Sequence, residues 1–375
     1  MKVEFFKHNI EDADIANVAA ALRGTFLTTG EWVDRFERDL AAFARRRYAV
    51  GVTSGTAGLH LALAAAYIGP GDEVITTPLT FVATANAVVM NGARPVFVDV
   101  EPDTGNIDAA LVDAAVTPRT KAILPVHLYG VMCDMRALRS VAQKRNLVII
   151  EDAAHALEAS RDGVSPGDLS AAAVFSFYAT KSITSGEGGA VVTDDAQIAE
   201  RLRTSRLHGL TRNAAERHRG AYSHYDMPAF GWKYNMSNIQ AALLAGQLPR
   251  VPAMRARRDE IARLYREAFS DCPGVSSPSI QDGCVSGHHL FTIWVDPDRR
   301  DAILRALESK GIGVTVNYRP VHLMSYYART FSLKEGMFPR AELIGASTIS
   351  LPLYPKLTPR EIDYVIACVR EAARP

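Results

Sequence analysis

The chain has 375 residues, 48% apolar and 22% charged, a composition that excludes disorder as its main state and a length that suggests two domains. Lys and Arg number 42 against 41 Asp and Glu, a net charge of +1 that argues against broad attraction to nucleic acid or a membrane surface. The four cysteines, at 133, 272, 284 and 368, form no C-x-x-C pair and no zinc pattern, so free thiols in a reduced compartment are expected.

In chain order, the opening M-K-V-E-F-F-K-H-N-I lacks the apolar core of a signal peptide. Trp32, Phe36, Leu40 and Phe43 recur at helical spacing, which predicts an amphipathic helix over 31–45. Seven short apolar runs follow, each read as a buried strand: Tyr48–Thr53, Glu73–Thr77, Pro95–Val100, Ala122–His127, Leu147–Glu151, Ala172–Phe177 and Gly189–Thr193. Helical patterns separate most of them. Strands alternating with helices predict an α/β fold around a mainly parallel sheet, buried on both faces. The longest apolar stretch, near Leu59–Ile68, is about half the length of a membrane helix. A cytoplasmic, soluble protein is expected.

The stretch 210–231 is polar, lacks periodicity and is expected to be a functional loop. Ser237 and Gln240 form a capping-box pair ahead of a new helix, and helical spacing resumes near Val251. Beyond 285 the pattern becomes α+β: strands at His289–Val295, Gly313–Tyr318 and Thr348–Leu353, with a helix over Asp298–Lys310. Thr358-Pro359-Arg360-Glu361 carries an N-cap, a first-turn Pro and a third-position Glu for the last helix. The expected division is a large domain over 1–247 and a smaller α+β domain over 248–375.

Three strand ends carry chemistry. The first strand runs into Thr53-Ser54-Gly55-Thr56-Ala57. Small residues at a helix start leave N–H groups free for a phosphate, although a plain strand-to-helix turn reads the same way. The turn is neither a P-loop nor G-x-G-x-x-G. The fifth strand ends in Glu151-Asp152, where α/β folds place ligand groups; a helix-capping Asp is the alternative. The sixth ends in Phe175-Ser176-Phe177-Tyr178-Ala179-Thr180-Lys181, and Gly186-Glu187-Gly188-Gly189 then turns the chain into an edge strand. A lysine so placed is often exposed. In one crevice with Asp152 its pKa would fall and it would become a Schiff-base nucleophile. A phosphate turn, a strand-end Asp and a strand-end Lys together match what pyridoxal phosphate requires.

The chain resembles the sugar aminotransferases of the fold-type I pyridoxal-phosphate enzymes, the DegT family. The resemblance rests on S-G-T-A-G-L-H at 54–60, D-E-V-I-T-T-P at 72–78, T-F-V-A-T-A-N-A at 80–87, P-V-F-V-D-V at 95–100 and P-V-H-L-Y-G at 125–130. It continues through E-D-A-A-H-A at 151–156, F-S-F-Y-A-T-K at 175–181, G-E-G-G at 186–189 and Y-N-M-S-N-I-Q-A-A at 234–242, and so spans nearly the whole length. It implies that Lys181 binds the cofactor aldehyde and Asp152 holds the pyridine nitrogen. By the same resemblance His155 and Phe81 flank the ring, while Gly55, Thr56, Ala57 and Ser176 cradle the phosphate. Asn235 would reach the partner's cofactor phosphate in an obligate homodimer with shared active sites. Tyr318 and His322 are the substrate-side candidates; Lys233, beside the Asn235 segment, would add charge there, a surface lysine being the alternative, and Thr28-Thr29-Gly30 resembles a further segment near the site, a simple turn being the alternative. Where many members have His-Tyr, this chain has Asn317-Tyr318. His127, His208, His288 and His289 are read as packed or surface residues.

The resemblance implies transamination of a nucleotide-linked keto-sugar, a 4-ketone on a 6-deoxy or related sugar, with glutamate as donor and pyridoxamine phosphate as the intermediate cofactor form. The alternatives are a sugar dehydratase using the same cofactor, in which a His replaces the lysine, and a non-catalytic sensor or binding protein of the same fold. A nicotinamide oxidoreductase is disfavoured by the missing glycine fingerprint.

Overall fold

The computed structural model describes residues 1–211 and 224–374. Residues 212–223 of the polar stretch 210–231 lie outside the described residues. Seven strands, β1 (Tyr48–Val52), β2 (Glu73–Thr76), β3 (Arg94–Phe97), β4 (Thr120–Leu124), β5 (Val148–Asp152), β7 (Ala172–Ser176) and β8 (Gly189–Thr193), fall on the seven apolar runs; a short β6 (Ser160–Arg161) intervenes. They form one sheet in the order β1-β8-β7-β5-β4-β2-β3. Neighbours from β7 through β3 are parallel, and β8 is antiparallel to both β7 and β1. The strand after the glycine turn is therefore interior, not at the sheet edge as expected. All five of its residues are buried, and its entry is set by backbone contact: a Cβ at Gly189 would stand 2.4 Å from the carbonyl carbon of Ser54.

Apolar side chains cover both faces of the sheet. Ile75, Ile123, Ile149 and Phe175 belong to one core, and Val74, Leu124, Ile150 and Val174 to another on the opposite face, as period-two alternation requires. The helix α2 (Glu31–Phe43) covers the first face through Val33, Phe36 and Leu40; α1 (Asp12–Arg23) precedes it. The helix α3 (Gly55–Ala65) packs on the second face. It lies so close that a Cβ on Gly58 would meet Val174 at 2.7 Å. No helix among the described residues is long and apolar enough to cross a membrane.

The helix Asn238–Ala245 starts with both halves of the Ser237–Gln240 capping box in place. The following helix, Val251–Phe269, joins the two halves of the molecule. Val251 and Met254 sit in the first core, whereas Ile261, Tyr265 and Phe269 sit in a C-terminal core with residues 291–373. That core is backed by a three-stranded antiparallel sheet of β9 (Val275–Ser276), β11 (Phe291–Val295) and β12 (Thr348–Leu351), in the order β12-β11-β9; β10 (Cys284–Val285) pairs with β6 instead. Helices Pro297–Ser309 and Pro359–Ala372 cover it, the latter with the Thr358–Glu361 box formed.

Gly313–Tyr318, expected as a strand, is not one. Only single bridges form, Ile312 to Val3 and Thr315 to Ser350. Past Thr315 the polar groups of Asn317 are taken by side chains. Tyr129 donates its hydroxyl to the carbonyl of Asn317 at 2.5 Å, and Ser350 donates to the Asn317 side chain at 2.8 Å. Val3 is 1% exposed and lies within the C-terminal core.

Candidate active site

The carboxyl ends of β1, β2, β4, β5 and β7 point the same way, because the parallel ladders and the doubly antiparallel β8 leave them codirectional. Sequence positions far apart thus converge on one crevice, the usual ligand face of such sheets.

Asp152 closes β5 and is 6% exposed. Its Oδ2 accepts from Thr84 Oγ1 at 2.7 Å and its Oδ1 from the backbone N–H of Ala154 at 3.2 Å. Thr84 comes from α4 (Ala83–Met90), the helix after β2. Burial raises the Asp152 pKa, while the Thr84 hydrogen bond, the Ala154 N–H and the nearby Lys181 charge oppose that rise. A carboxylate held by fixed donors in a dry site suits a cationic partner.

Lys181 follows β7 and extends into the same crevice. Burial lowers its pKa from 10.5 to about 8, against a smaller upward pull from Asp152. Its Nζ stands 3.3 Å from Nε2 of His289. The His289 and His155 rings lie 4.3 Å apart, and the His155 ring stacks on Tyr318 at 6.1 Å with 17° between planes. His155 takes the backbone N–H of Tyr129 on Nδ1 at 3.3 Å, and its Nε2 lies 3.2 Å from the Tyr318 hydroxyl. With Nδ1 accepting, Nε2 carries the proton and donates to Tyr318. Burial, and then the Lys181 charge, holds the His155 pKa well below the usual range. Phe81, 57% exposed, presents its ring 6.0 Å from Tyr318 at the mouth of the crevice.

The start of α3 lies beside the end of β7. Ser54 caps the helix by accepting the Ala57 N–H at 3.1 Å, which leaves the N–H groups of Gly55 and Thr56 at the open first turn. A Cβ on Gly55 would meet Ser176 Cβ at 3.0 Å, so Gly55 and Thr56 with Ser176 border one cradle, and the Ala57 N–H is held by the Ser54 cap. An anionic group fits a helix start of this kind. The cradle, the buried carboxylate and an amine with a pKa near 8 therefore fit pyridoxal phosphate, with its phosphate, ring nitrogen and aldehyde matched in turn.

Other candidates lie elsewhere. Asn235 donates its amide to Thr29 at 2.8 Å and to Thr28 at 3.4 Å, outside the contacts around Lys181. Lys233 is exposed and its backbone bridges Leu207. His322, expected on the substrate side, makes its contacts within the C-terminal half. Its side chain has no exposed surface, and Nε2 is 2.9 Å from Glu342 Oε1, with Phe338 edge-on at 4.8 Å. It is a packed histidine of the C-terminal half.

His127 is packed as read, its Nε2 2.6 Å from Glu151 with both side chains wholly buried. His288 lies 3.5 Å from Asp259. His289 is the exception, because it meets Lys181. No local pattern marks it: the two residues are 108 apart. Thr84 was missed as well; it lies in the stretch T-F-V-A-T-A-N-A, four residues after Thr80, and the two hydroxyls are 2.9 Å apart.

The model of the DegT/DnrJ/EryC1/StrS aminotransferase family matches residues 8–370. The spore coat polysaccharide biosynthesis protein SpsC of Bacillus subtilis is 43% identical over 367 residues, 96% of this chain and 94% of SpsC. Spr1654 of Streptococcus pneumoniae, in its PMP form, matches with a TM-score of 0.93 at 30% identity, over 99% of each chain. Helicobacter pylori PseC, an aminotransferase involved in the biosynthesis of pseudoaminic acid, matches with a TM-score of 0.92 at 29% identity, over 100% of this chain and 99% of PseC.

Proposed function

The chain belongs to the DegT/DnrJ/EryC1/StrS aminotransferase family, fold-type I enzymes that work with pyridoxal phosphate, and from that premise we propose that it transfers an amino group from glutamate to a nucleotide-linked 4-keto sugar. The observation that carries this reading is the pairing of a buried Asp152 with a Lys181 whose pKa is lowered to about 8 in one crevice. When bound, pyridoxal phosphate supplies an aldehyde for the amine and a ring that draws electrons from the bond to be broken.

The roles of the chain's residues follow from their positions. Lys181 would hold the aldehyde end of the cofactor, and its Nζ would carry a proton to and from the substrate carbon. An amine with a pKa near working pH serves as donor and acceptor alike. Asp152 keeps a ring nitrogen protonated, and Thr84 and Ala154 N–H fix the direction of its oxygens. The α3 start and Ser176 hold the phosphate. Phe81 and His155 flank the ring, and Tyr318 orients His155 while facing substrate. Asn235 serves the site of a second copy. Met227 and Phe230, 56% and 71% exposed a few residues before Asn235, are apolar surface that a second copy would cover.

The test is spectroscopic. Protein supplied with pyridoxal phosphate is expected to show a violet-region band that glutamate removes, and the matching keto-sugar nucleotide is expected to restore it. Absence of any band with saturating cofactor counts against the assignment. A band that glutamate leaves intact and another amino acid removes changes the donor alone.

A further inference from the structure

We infer that His289 is a positioning residue for the reactive amine: its Nε2 accepts a hydrogen bond from Lys181 Nζ and fixes the direction in which that amine points. The inference deepens the proposed function and rests on Lys181 being the reactive group.

The geometry around His289 is built, not incidental. Its backbone N–H donates to Tyr129 O at 3.1 Å, and Gly287 N–H donates to Gly130 O at 2.8 Å. Gly130 has φ +101°, and a Cβ there would stand 2.9 Å from His288 N and 3.1 Å from both His289 N and His155 O. Only glycine lets the 287–289 backbone approach the segment after β4 this closely. The same Tyr129 gives its N–H to His155 and its hydroxyl to Asn317. One turn therefore sets His289, His155 and the residue before Tyr318.

His289 is 7% exposed. Burial first, then the charges of Lys181, His155 and Arg258, holds its pKa well below the usual range, so the imidazole is neutral. A neutral imidazole facing an ammonium or an amine N–H through Nε2 accepts from it. The other groups around Lys181 are Asp152 on β5, His155 after it, Arg258 on the helix Val251–Phe269, and Lys7 and His8 of the N-terminal segment. Arg258 is committed to Glu158 and the Gly287 carbonyl, and Lys7 to Glu361. Asp152 acts on Lys181 as a charge, with its oxygens taken by Thr84 and Ala154. His289 is the neighbour with a lone pair directed at Nζ.

An acceptor facing the ammonium favours the charged amine. Replacing it with an apolar ring that still excludes water is expected to lower the Lys181 midpoint. Cyanate carbamylates only the unprotonated amine. Its rate on Lys181 against pH, read by peptide mass spectrometry on the full chain without added cofactor, reports that midpoint. The native chain is expected to give a midpoint near 8. His289→Phe is expected to lower it by about half a pH unit or more and to slow pyridoxal phosphate capture on the high-pH plateau roughly tenfold through misdirection of the amine. His289→Gln, which can return an acceptor near the Nε2 position, is expected to recover both. Should the phenyl ring prevent folding, His289→Leu gives the same reading. An unchanged midpoint in a folded His289→Phe or His289→Leu chain overturns the inference. Failure of the native chain to capture pyridoxal phosphate overturns the proposed function alone, because carbamylation reads His289 without the cofactor.

Discussion

Thr84 grips Asp152 from two strands away: its hydroxyl is 2.7 Å from Asp152 Oδ2, although Thr84 follows β2 and Asp152 ends β5, with β4 between them in the sheet. The bond works against burial, which pushes the carboxyl pKa up. Thr84→Val keeps the shape and removes the donor. The Asp152 pKa is expected to rise further and the hold on a protonated ring nitrogen to weaken. A hydrogen bond to a charged group is worth about 1.5–3 kcal/mol, so cofactor affinity should fall roughly tenfold to a hundredfold. Equilibrium titration of the cofactor-free chain checks this, and the loss should grow as pH falls.

The pH dependence of Lys181 has a definite sign. Its folded-state pKa is about 8 against an ordinary 10.5, so the folded chain binds fewer protons than the unfolded chain between those values. Its contribution to stability is fully present above 10.5 and is lost as pH falls through about 8. The free amine fraction rises with pH over the same lower limit, and cofactor capture is expected to climb through pH 8 to a plateau. Stopped-flow absorbance reads this directly. Lys181→Ala should leave the fold and remove the plateau, with turnover lowered at least ~10²–10⁴-fold by loss of the proton carrier.

Asn235→Ala removes the donor to Thr29 and Thr28. If Asn235 serves a neighbouring subunit's phosphate, cofactor affinity should fall while the dimer persists, as read by ultracentrifugation beside a cofactor titration. The intramolecular cost is expected to be about 1 kcal/mol. Unchanged cofactor affinity would leave Asn235 a structural residue.

Beneath the crevice, Glu151 gathers His127 Nε2 at 2.6 Å, Gly167 N–H at 2.8 Å and the Ser170 hydroxyl. His127 Nδ1 in turn accepts the Cys133 N–H at 3.2 Å, which places the imidazole proton on Nε2, facing the carboxylate. Glu151→Leu strands these donors in a dry interior. It is expected to destabilise by about 3 kcal/mol or more, since each buried donor left without an acceptor costs about 1–3 kcal/mol, with a lowered thermal midpoint. A midpoint within experimental error of the native value would show that water replaces the carboxylate.

The sheet was legible because each strand is buried on both faces and so reads as a continuous apolar run. The capped helices were legible because Ser237–Gln240 and Thr358–Glu361 spell their starts locally. The helix α1 escaped notice since its inner face, Asp14, Asn17, Val18 and Ala21, carries little apolar surface, and the contact that anchors it, buried Asp14 to Arg250 at 2.7 Å, joins residues 236 apart. Gly313–Tyr318 carries strand-like residues, but Tyr129 and Ser350 take the polar groups of Asn317, a competition invisible along the chain. In the site, Asp152 and Lys181 are marked by their place at strand ends. His289 is not, since its role depends on a backbone approach at Gly130 that no periodicity encodes. His322 sits in a stretch that resembles a substrate segment, yet Glu342 and Phe338 enclose it.

Val3 pairs with both sides of Ile312: its N–H donates to Gly311 O at 2.9 Å, and Gly313 N–H donates to its carbonyl at 2.8 Å. This places a constraint on synthesis. Val3 has no partner on the ribosome until residues near 312 emerge, at the end of a translation lasting many seconds. The segment that follows it, residues 6–9, borders Lys181. Lys181 is thus walled in on this side only after the C-terminal core closes over Val3, and protection of its amine from a bulky reagent in a nascent chain would report the finishing of that closure, not the earlier folding of the sheet.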